Sequence, residues 1–94
     1  MTMTTVSVGV VSAEREAGIT YRQLDFWVRR GFLRPVHDGG TGRSREWTRA
    51  ELDVARLMGR LTAAGLPLET AHRVARSGES RAEIAPGIWI EVTR

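Results

Sequence analysis

The chain has 94 residues, the length of one small domain with a modest buried core. It contains no cysteine, which excludes disulfide cross-links, thiolate zinc sites and cysteine redox chemistry. Its longest apolar run, Val8 to Val11, is far too short to span a bilayer. A secretory signal carries basic residues before its apolar segment, and this sequence has none there. We therefore expect a soluble protein of the cytoplasm.

The positive charge of the chain is concentrated in its middle third. All fourteen basic residues are arginine, and the net charge is +3. Residues 20–49 contain seven arginines and three acids, a net of +4, whereas residues 1–19 carry −1 and residues 50–94 carry equal numbers of each. A localised basic region is typical of a surface that binds phosphate. High-GC coding combined with chance clustering is the alternative explanation of the charge alone.

The start of the chain predicts a short strand followed by a short helix. The segment Val6–Val10 alternates between apolar and small residues, which favours a strand. Ser12 is a candidate N-cap, because its side-chain oxygen can accept from the unpaired amides of a helix over residues 13–17. Gly18 follows where a helix commonly ends in a left-handed residue.

The next segment predicts a capped amphipathic helix. Thr20 and Gln23 form a T-x-x-Q capping box, in which side chains and backbone satisfy each other's unpaired groups. We expect the helix to close near Gly31, and Pro35 prevents it from continuing. The apolar residues recur at helical spacing and predict one buried face, formed by Leu24, Trp27 and Val28.

A glycine-rich hairpin and the longest helix are predicted next. The segment from Val36 to Trp47 has a DGGTG tip and a basic return strand, which is typical of a hairpin. Thr48 and Glu51 form a second capping box and begin a helix that reaches Gly65. Its buried stripe is predicted to contain Leu52, Ala55, Leu57, Met58 and Leu61.

The remaining sequence predicts a further helix and an extended tail. The helix begins near Pro67 and stops at Gly78. Alternation over residues 88–92, after a turn at 86–87, predicts a terminal strand or hairpin, whose pairing with Val6–Val10 is left open. We expect three parts: an N-terminal tail with a short strand (1–11), a winged helix-turn-helix domain (12–78), and a C-terminal strand or hairpin that is a candidate oligomerisation element (79–94).

This order of elements predicts a mainly α fold with a small β component, a helix-turn-helix with a wing. The first turn of the capped helix would project into a major groove, and the basic hairpin would contact the DNA backbone or minor groove. Gln23 is alternatively occupied by its capping box, Arg45 alternatively braces the wing, and Asp25 is placed to pair with Arg29 at i,i+4. The candidate DNA-binding residues are Tyr21, Arg22, Gln23, Arg30, Arg43 and Arg45.

Several motifs, in this order and spacing, resemble the N-terminal domain of MerR-family regulators. Gly18–Thr20 resembles the family's G-V-S turn, and Gly31–Pro35 resembles its G-L-L-x-P helix end. Arg45–Leu52 resembles the wing closure R-x-Y-[ST]-x-x-[DE]-L, and AAGLPLETAHRVAR resembles the start of the fourth helix. The resemblance covers about residues 12–77 and implies a winged helix-turn-helix that binds DNA.

The chain departs from the family pattern in two places. Its helix contains Leu24-Asp25-Phe26-Trp27, whereas the commoner family helix has L-R-Y-Y with the arginine facing DNA. The sequence L-D-Y-W resembles a small variant of the family from high-GC bacteria, and an acid facing phosphate would be repulsive. Full-length members continue into a long dimerisation helix and an effector domain, whereas sixteen extended-looking residues follow Gly78 here. The resemblance therefore implies no metal, drug or redox sensing and no small-molecule effector.

We expect a sequence-specific transcriptional regulator that binds double-stranded DNA and is nucleoid-associated. A homodimer, cooperative side-by-side binding through the C-terminal segment, or a protein partner would add affinity. Two alternatives remain: an architectural excision or recombination directionality factor, and a protein-interaction module that does not bind DNA. The sequence has no nucleophile pattern, carboxylate pair, metal-ligand spacing or phosphate loop. We therefore expect no enzyme activity, no cofactor, no metal and no membrane association.

Overall fold

The computed structural model describes residues 5–8, 10–36 and 45–94, which form a mainly α winged helix-turn-helix. The described elements are β1 (Thr5–Val8), α1 (Val10–Ala17), α2 (Tyr21–Arg29), β2 (Arg45–Thr48), α3 (Arg49–Ala63), α4 (Leu68–Ser77), β3 (Arg81–Ala85) and β4 (Ile88–Glu91). They contain two antiparallel two-stranded sheets, β1–β2 and β3–β4. The predicted fold class is confirmed.

The helix-turn-helix is formed by α1 and α2. The prediction of an N-cap at Ser12 is wrong, because α1 begins at Val10 and Ser12 lies inside it. The reason is that β1 ends at Val8, so the valines that follow form the first turn of the helix and do not extend the strand. The capping box predicted before α2 is confirmed. The backbone N–H of Gln23 donates to Thr20 Oγ1, and the backbone N–H of Thr20 donates to Gln23 Oε1, both at 3.1 Å.

The end of α2 is built as the sequence predicts. Arg30 is the C-cap, and Gly31 has a φ of +79°, a left-handed conformation that glycine adopts without a steric penalty. The Phe32 amide then donates to the Trp27 carbonyl at 2.9 Å and turns the chain back over the helix. Leu33 follows at 1% exposure, so the exit of α2 is fixed in the core.

Strand β2 has a ladder partner that the sequence did not predict. Among the described residues its ladder partner is β1, with Val6 opposite Trp47. Val36 approaches the other edge of β2 through one backbone bond, from its amide to the Glu46 carbonyl at 2.7 Å. The sequence could not predict β1 as the partner, because that pairing joins segments about forty residues apart. The DGGTG tip at 38–42 lies outside the described residues.

The core forms where α1, α2, α3 and α4 meet, and it includes part of the C-terminal hairpin. Trp47, Leu24, Leu33, Leu52, Met58 and Val74 are its largest fully buried side chains. Ala82 and Val92 of the hairpin belong to the same buried cluster, so β3–β4 packs on the helical body. The sequence left open whether the terminal segment pairs with Val6–Val10. In the described part of the chain β3 and β4 pair with each other around a turn at 86–87, and β1 pairs with β2.

The carboxylate of Glu51 joins three parts of the fold. The predicted cap of α3 is half present, because the Glu51 amide donates to Thr48 Oγ1 at 3.1 Å. The Glu51 side chain does not complete the box, because it is buried and accepts instead from the Arg34 amide at 2.6 Å and from two nitrogens of Arg76 at 2.7 and 2.5 Å. Arg76 also donates to the Phe32 carbonyl at 2.7 Å. The cluster thus ties the exit of α2 to both α3 and α4.

Gly59 of α3 lies close to the turn that follows α1. A Cβ atom placed on Gly59 would lie 2.6 Å from Cγ2 of Ile19, a separation that real Cβ atoms essentially never show. Across the same interface, Arg56 donates to the Glu16 carbonyl, and Arg49 pairs with the Glu16 carboxylate. These bonds hold α1 on α3, and the missing side chain at Gly59 allows the contact.

We expect Gly59→Ala to lower the free energy of unfolding by roughly 1–2 kcal/mol. Overpacking costs about 1–3 kcal/mol, and the better helix propensity of alanine returns up to about 1. Urea denaturation measures the change. The control is the same substitution in an Ile19→Ala background, which removes the clashing Cγ2 and should make Gly59→Ala neutral or stabilising. An equal loss in both backgrounds would contradict the close contact.

We expect Glu51→Gln to lower the free energy of unfolding by about 1–3 kcal/mol near neutral pH, because Arg76 loses its buried charged partner. Burial alone would raise the pKa of Glu51, but hydrogen bonds from Arg76 and the Arg34 amide outweigh it and leave the pKa lowered. A lowered pKa gives stability that is present above about pH 4.5 and lost as the pH falls further. Urea unfolding at several pH values should show a flatter acid limb in the variant.

The matched control is Glu69→Gln, on the exposed face of α4, where the carboxylate forms no ion pair with a described residue. It should change the free energy of unfolding by only a few tenths of a kcal/mol. If the two variants lost equal stability, the Glu51 cluster would not be a special tie between the helices.

Candidate nucleic-acid interface

One face of α2 is left open to solvent. Leu24 and Trp27 are buried, so the helix rests on the core along that side. The opposite side presents Tyr21, Arg22, Gln23, Phe26, Arg29 and Arg30, all of them exposed. The capping box fixes the entry of this helix and the Glu51 cluster fixes its exit. The exposed face is therefore held rigidly at both ends.

The three side chains on the first turn of α2 differ in exposure and in hydrogen bonding. Arg22 is exposed and forms no hydrogen bond or ion pair with any described residue, so its planar set of donors is available. Tyr21 is 47% exposed. The acceptor oxygen of Gln23 is engaged by the Thr20 amide, as the capping alternative foresaw. Gln23 therefore offers its amide donors more readily than the donor–acceptor pair that adenine needs.

Asp25 is neutralised by two arginines. The predicted i,i+4 pair is present, with Arg29 Nε 2.8 Å from one carboxylate oxygen, and Arg45 Nη2 lies 2.8 Å from the other. The second partner was not foreseen, because it comes from β2, twenty residues along the chain. Hydrogen bonds from Arg45 and then Arg29 hold the pKa of the Asp25 carboxyl below its usual range. The acid that departs from the family pattern is thus a bridge between recognition helix and wing.

Arg45 lies at the base of the wing with only 12% of its side chain exposed, facing Asp25. This geometry favours the bracing alternative over a direct phosphate contact. Arg43, the other candidate on the wing, lies outside the described residues. Sequence spacing gave no sign of the Asp25–Arg45 contact, since the two residues lie on different elements whose packing only the fold establishes.

Arg30 and two aromatic rings form a cluster at the end of α2. The Arg30 guanidinium carbon lies 5.5 Å from the ring centres of both Phe26 and Phe32. The Phe32 ring contacts His72 of α4, with ring centres 4.7 Å apart. Burial and the nearby charge of Arg76 lower the pKa of His72, so this imidazole is neutral at pH 7. The rings orient Arg30 while its donors stay exposed.

Phe26 is an exposed residue that the sequence interpretation left without a role. It is 47% exposed on α2, between Arg22 and Arg30 at helical spacing. A helical-wheel argument could have found it, because it falls opposite the face of Leu24 and Trp27. The three exposed side chains form one stripe along the open face of the helix.

The excess positive charge is not spread evenly over the arginines. Arg29 and Arg45 are paired with Asp25, and Arg49 is paired with Glu16. By contrast, the exposed side chains of Arg22, Arg30 and Arg34 form no ion pair with a described residue. The open face of α2 and its exit therefore carry three arginine charges that are available to a ligand.

Other kinds of site find little support in the part of the chain that the structure describes. It contains no cluster of three or more histidine and acidic side chains suited to a metal ion. No helix among residues 10–36 and 45–94 has both the length and the hydropathy needed to cross a membrane.

A capped helix with an open basic face, preceded by a tight turn and braced by a wing strand, defines the winged helix-turn-helix class. A family model described as "MerR HTH family regulatory protein" matches residues 10–78. The chain therefore belongs to the MerR family, whose helix-turn-helix domains bind DNA and regulate. A search of curated proteins finds no significant match.

We expect Asp25→Asn to loosen the wing, because Arg45 loses a charged partner on α2 while its side chain stays mostly buried. The Val36 amide, bonded to the Glu46 carbonyl beside Arg45, should exchange faster with solvent, as NMR hydrogen exchange would measure. The same loosening should appear in the unmodified protein at acid pH. Because the pKa of Asp25 is lowered, the bridge is present above its ordinary value and lost as the pH falls through the lowered one.

Asp53→Asn is the matched control, since Asp53 is exposed and its only described ion pair, to Arg56, is long at 4.0 Å. Unchanged exchange at Val36 in Asp25→Asn, or equal changes in both variants, would contradict the bridge.

Proposed function

We propose that the protein is a sequence-specific transcriptional regulator that binds double-stranded DNA and acts in the cytoplasm. The N-terminal half of α2 enters the major groove, and the wing lies over the backbone or the adjacent minor groove. The observation that carries this proposal is the exposed Arg22 on the first turn of α2, without a partner among the described residues. Membership of the MerR family supports the same conclusion.

The proposed contacts divide into two kinds. Arg22 supplies base contact, since a guanidinium pairs bidentately with guanine, and Tyr21 and Gln23 flank it with further donors. Arg30 and Arg43 bind phosphates, which supply most of the affinity and fix the register. Arg45 acts by bracing the wing through Asp25, supported by its 2.8 Å bond and its low exposure.

Phosphate would not meet an open carboxylate on this surface. Asp25 stands where the commoner family helix has arginine, but its two oxygens each accept from an arginine at 2.8 Å. The local charge of Asp25, Arg29 and Arg45 together is +1. The bridge therefore supports DNA binding by a variant helix, in which the acid orients the wing and does not repel the backbone.

A single domain of this size binds DNA weakly, because one such module buries only about 600–1,000 Å². We propose that the C-terminal segment, residues 79–94, supplies an additional contact to a second copy or a protein partner. Its exposed Ile88 and Trp89 support this assignment.

We expect Arg22→Ala to weaken binding to the preferred DNA site by about 1–3 kcal/mol and to relax selectivity at one base position. The site is first selected from random DNA, and binding is then measured by fluorescence anisotropy over a range of salt concentrations. Arg73→Ala on α4 is the control, because it removes the same charge from another face of the protein. It should leave sequence preference unchanged.

The outcomes distinguish the alternatives. Steep salt dependence without any sequence preference would favour an architectural excision or recombination factor over a sequence-specific regulator. Absence of DNA binding would favour a protein-interaction module. Sequence preference that survives Arg22→Ala would overturn the proposed docking of α2 while leaving DNA binding in place.

A further inference from the structure

The two edges of the C-terminal hairpin differ in what covers them. On the β3 side, the Glu83 carbonyl accepts from Arg73 of α4 at 3.2 Å. On the β4 side, Arg60 of α3 reaches only the Thr93 carbonyl, beyond the end of the strand, at 2.7 Å. Among the described residues, the backbone of β4 itself bonds only to β3. The outer edge of β4 is therefore open.

The bonding pattern within the hairpin determines which groups face that edge. The Val92 amide donates to the Ser80 carbonyl at 2.7 Å, and the ladder register continues one residue at a time on each strand. In an antiparallel ladder, pairs that exchange bonds alternate with pairs that do not. Ile90 therefore bonds to β3, whereas the N–H and C=O groups of Trp89 and Glu91 point outward.

The side chains of β4 add exposed apolar surface beside these groups. Ile88 is 55% exposed and shares a face with Ile90 and Val92, so it extends the apolar face of the hairpin beyond the core. Trp89 is 51% exposed on the other face, with the Arg81 guanidinium 5.2 Å from its ring centre. Edge strands are usually protected from pairing by lysine, proline or a bulge. The bulge of this hairpin lies in β3, and β4 contains neither lysine nor proline, so these protections are missing from β4.

We propose that a second copy of this chain covers the open edge, by antiparallel pairing of β4 with the partner's β4 around a two-fold axis at Ile90. Trp89 then lies opposite the partner's Glu91, and these outward-facing residues exchange two bonds on each side of the axis. Ile88 lies against the partner's Val92. The apolar residues meet one another, and no two like charges stand opposite.

The other symmetric registers fit less well. An axis at Glu91 would place two carboxylates opposite each other, which is destabilising. An axis at Trp89 would oppose Glu91 with the partner's Gly87, a turn residue with a φ of +76°. The separation of the two carboxylates, the position of the turn and the direction of the backbone groups thus select Ile90 as the centre.

The proposed interface is small, since stable dimers usually bury about 1,200–2,000 Å². We expect weak self-association of the free protein in solution. The same pairing should strengthen DNA binding when two copies bind neighbouring half-sites, because the first bound copy raises the effective concentration of the second. The arrangement of those half-sites rests on the proposed function: a two-fold axis requires inverted repeats, not direct ones. The pairing of the free protein is independent of DNA and is tested without it.

Cross-linking tests the register directly, because the chain has no cysteine of its own. Ile90→Cys places two thiols across the axis at about 4.5 Å between Cα atoms, within the range for a disulfide. Ile88→Cys is the matched control, since its two copies would lie about 13 Å apart along the strands. Under mild oxidation of the folded variants, checked by circular dichroism, we expect a cross-linked dimer from Ile90→Cys and not from Ile88→Cys. Equal yields, or none from Ile90→Cys, would overturn the proposal.

Sedimentation equilibrium of a second pair of variants tests the edge bonds. Glu91→Pro removes an outward amide without breaking a bond to β3, and Glu91→Ala removes the same side chain but keeps the amide. We expect the dimer dissociation constant of Glu91→Pro to be at least about tenfold higher than that of Glu91→Ala. Equal dissociation constants, or a monomer throughout in Glu91→Ala and the unmodified protein, would overturn it. DNA binding that depends on Arg22 would stand in either case.

Discussion

The buried carboxylate of Glu51 accepts hydrogen bonds from the Arg34 amide after α2 and from Arg76 of α4, while its own backbone begins α3. Arg76 spans the remaining gap to the Phe32 carbonyl. Three helices with different directions therefore depend on one charge cluster for their mutual position. A short chain can bury only a small core, so a charged tie with several bonds supplies orientation that apolar packing alone would leave loose. The open face of α2 points in a fixed direction because this cluster holds the exit of the helix and the capping box of Thr20 and Gln23 holds its entry.

A second ionic contact joins the recognition helix to the wing. Asp25 in the middle of α2 holds Arg45 at the base of β2, and β2 is itself paired with β1. The groups that would meet a major groove and those that would meet the backbone are thus coupled through one carboxylate. This coupling gives a physical account of the acid that distinguishes the chain from the commoner family helix. Arg22 and Arg30, which have no acidic partner among the described residues, stand on the open side of the same helix.

The C-terminal hairpin packs on the helical core and also presents an open strand edge to solvent. Ala82 and Val92 anchor it in the common core, whereas Ile88 and Trp89 extend beyond it. Its β3 edge is bonded to α4, and its β4 edge faces outward. The domain therefore offers two unrelated surfaces: a basic helical face and an open strand edge. A DNA-binding module that gains affinity by association needs two such surfaces, one for the nucleic acid and one for a partner.

The sequence by itself determined the helices, the capping box at Thr20, the end of α2 at Gly31, the pair between Asp25 and Arg29, and the winged class, because caps, glycines and apolar periods act over a few residues. It misplaced the start of α1 and gave Glu51 a local cap. Only the tertiary structure decided that β1 pairs with β2, that Glu51 turns to Arg76, that Asp25 reaches Arg45 and that β4 has an open edge. The three contacts join residues that are far apart in the chain, and the open edge of β4 depends on which elements pack beside it. Both are therefore fixed only when the whole core packs.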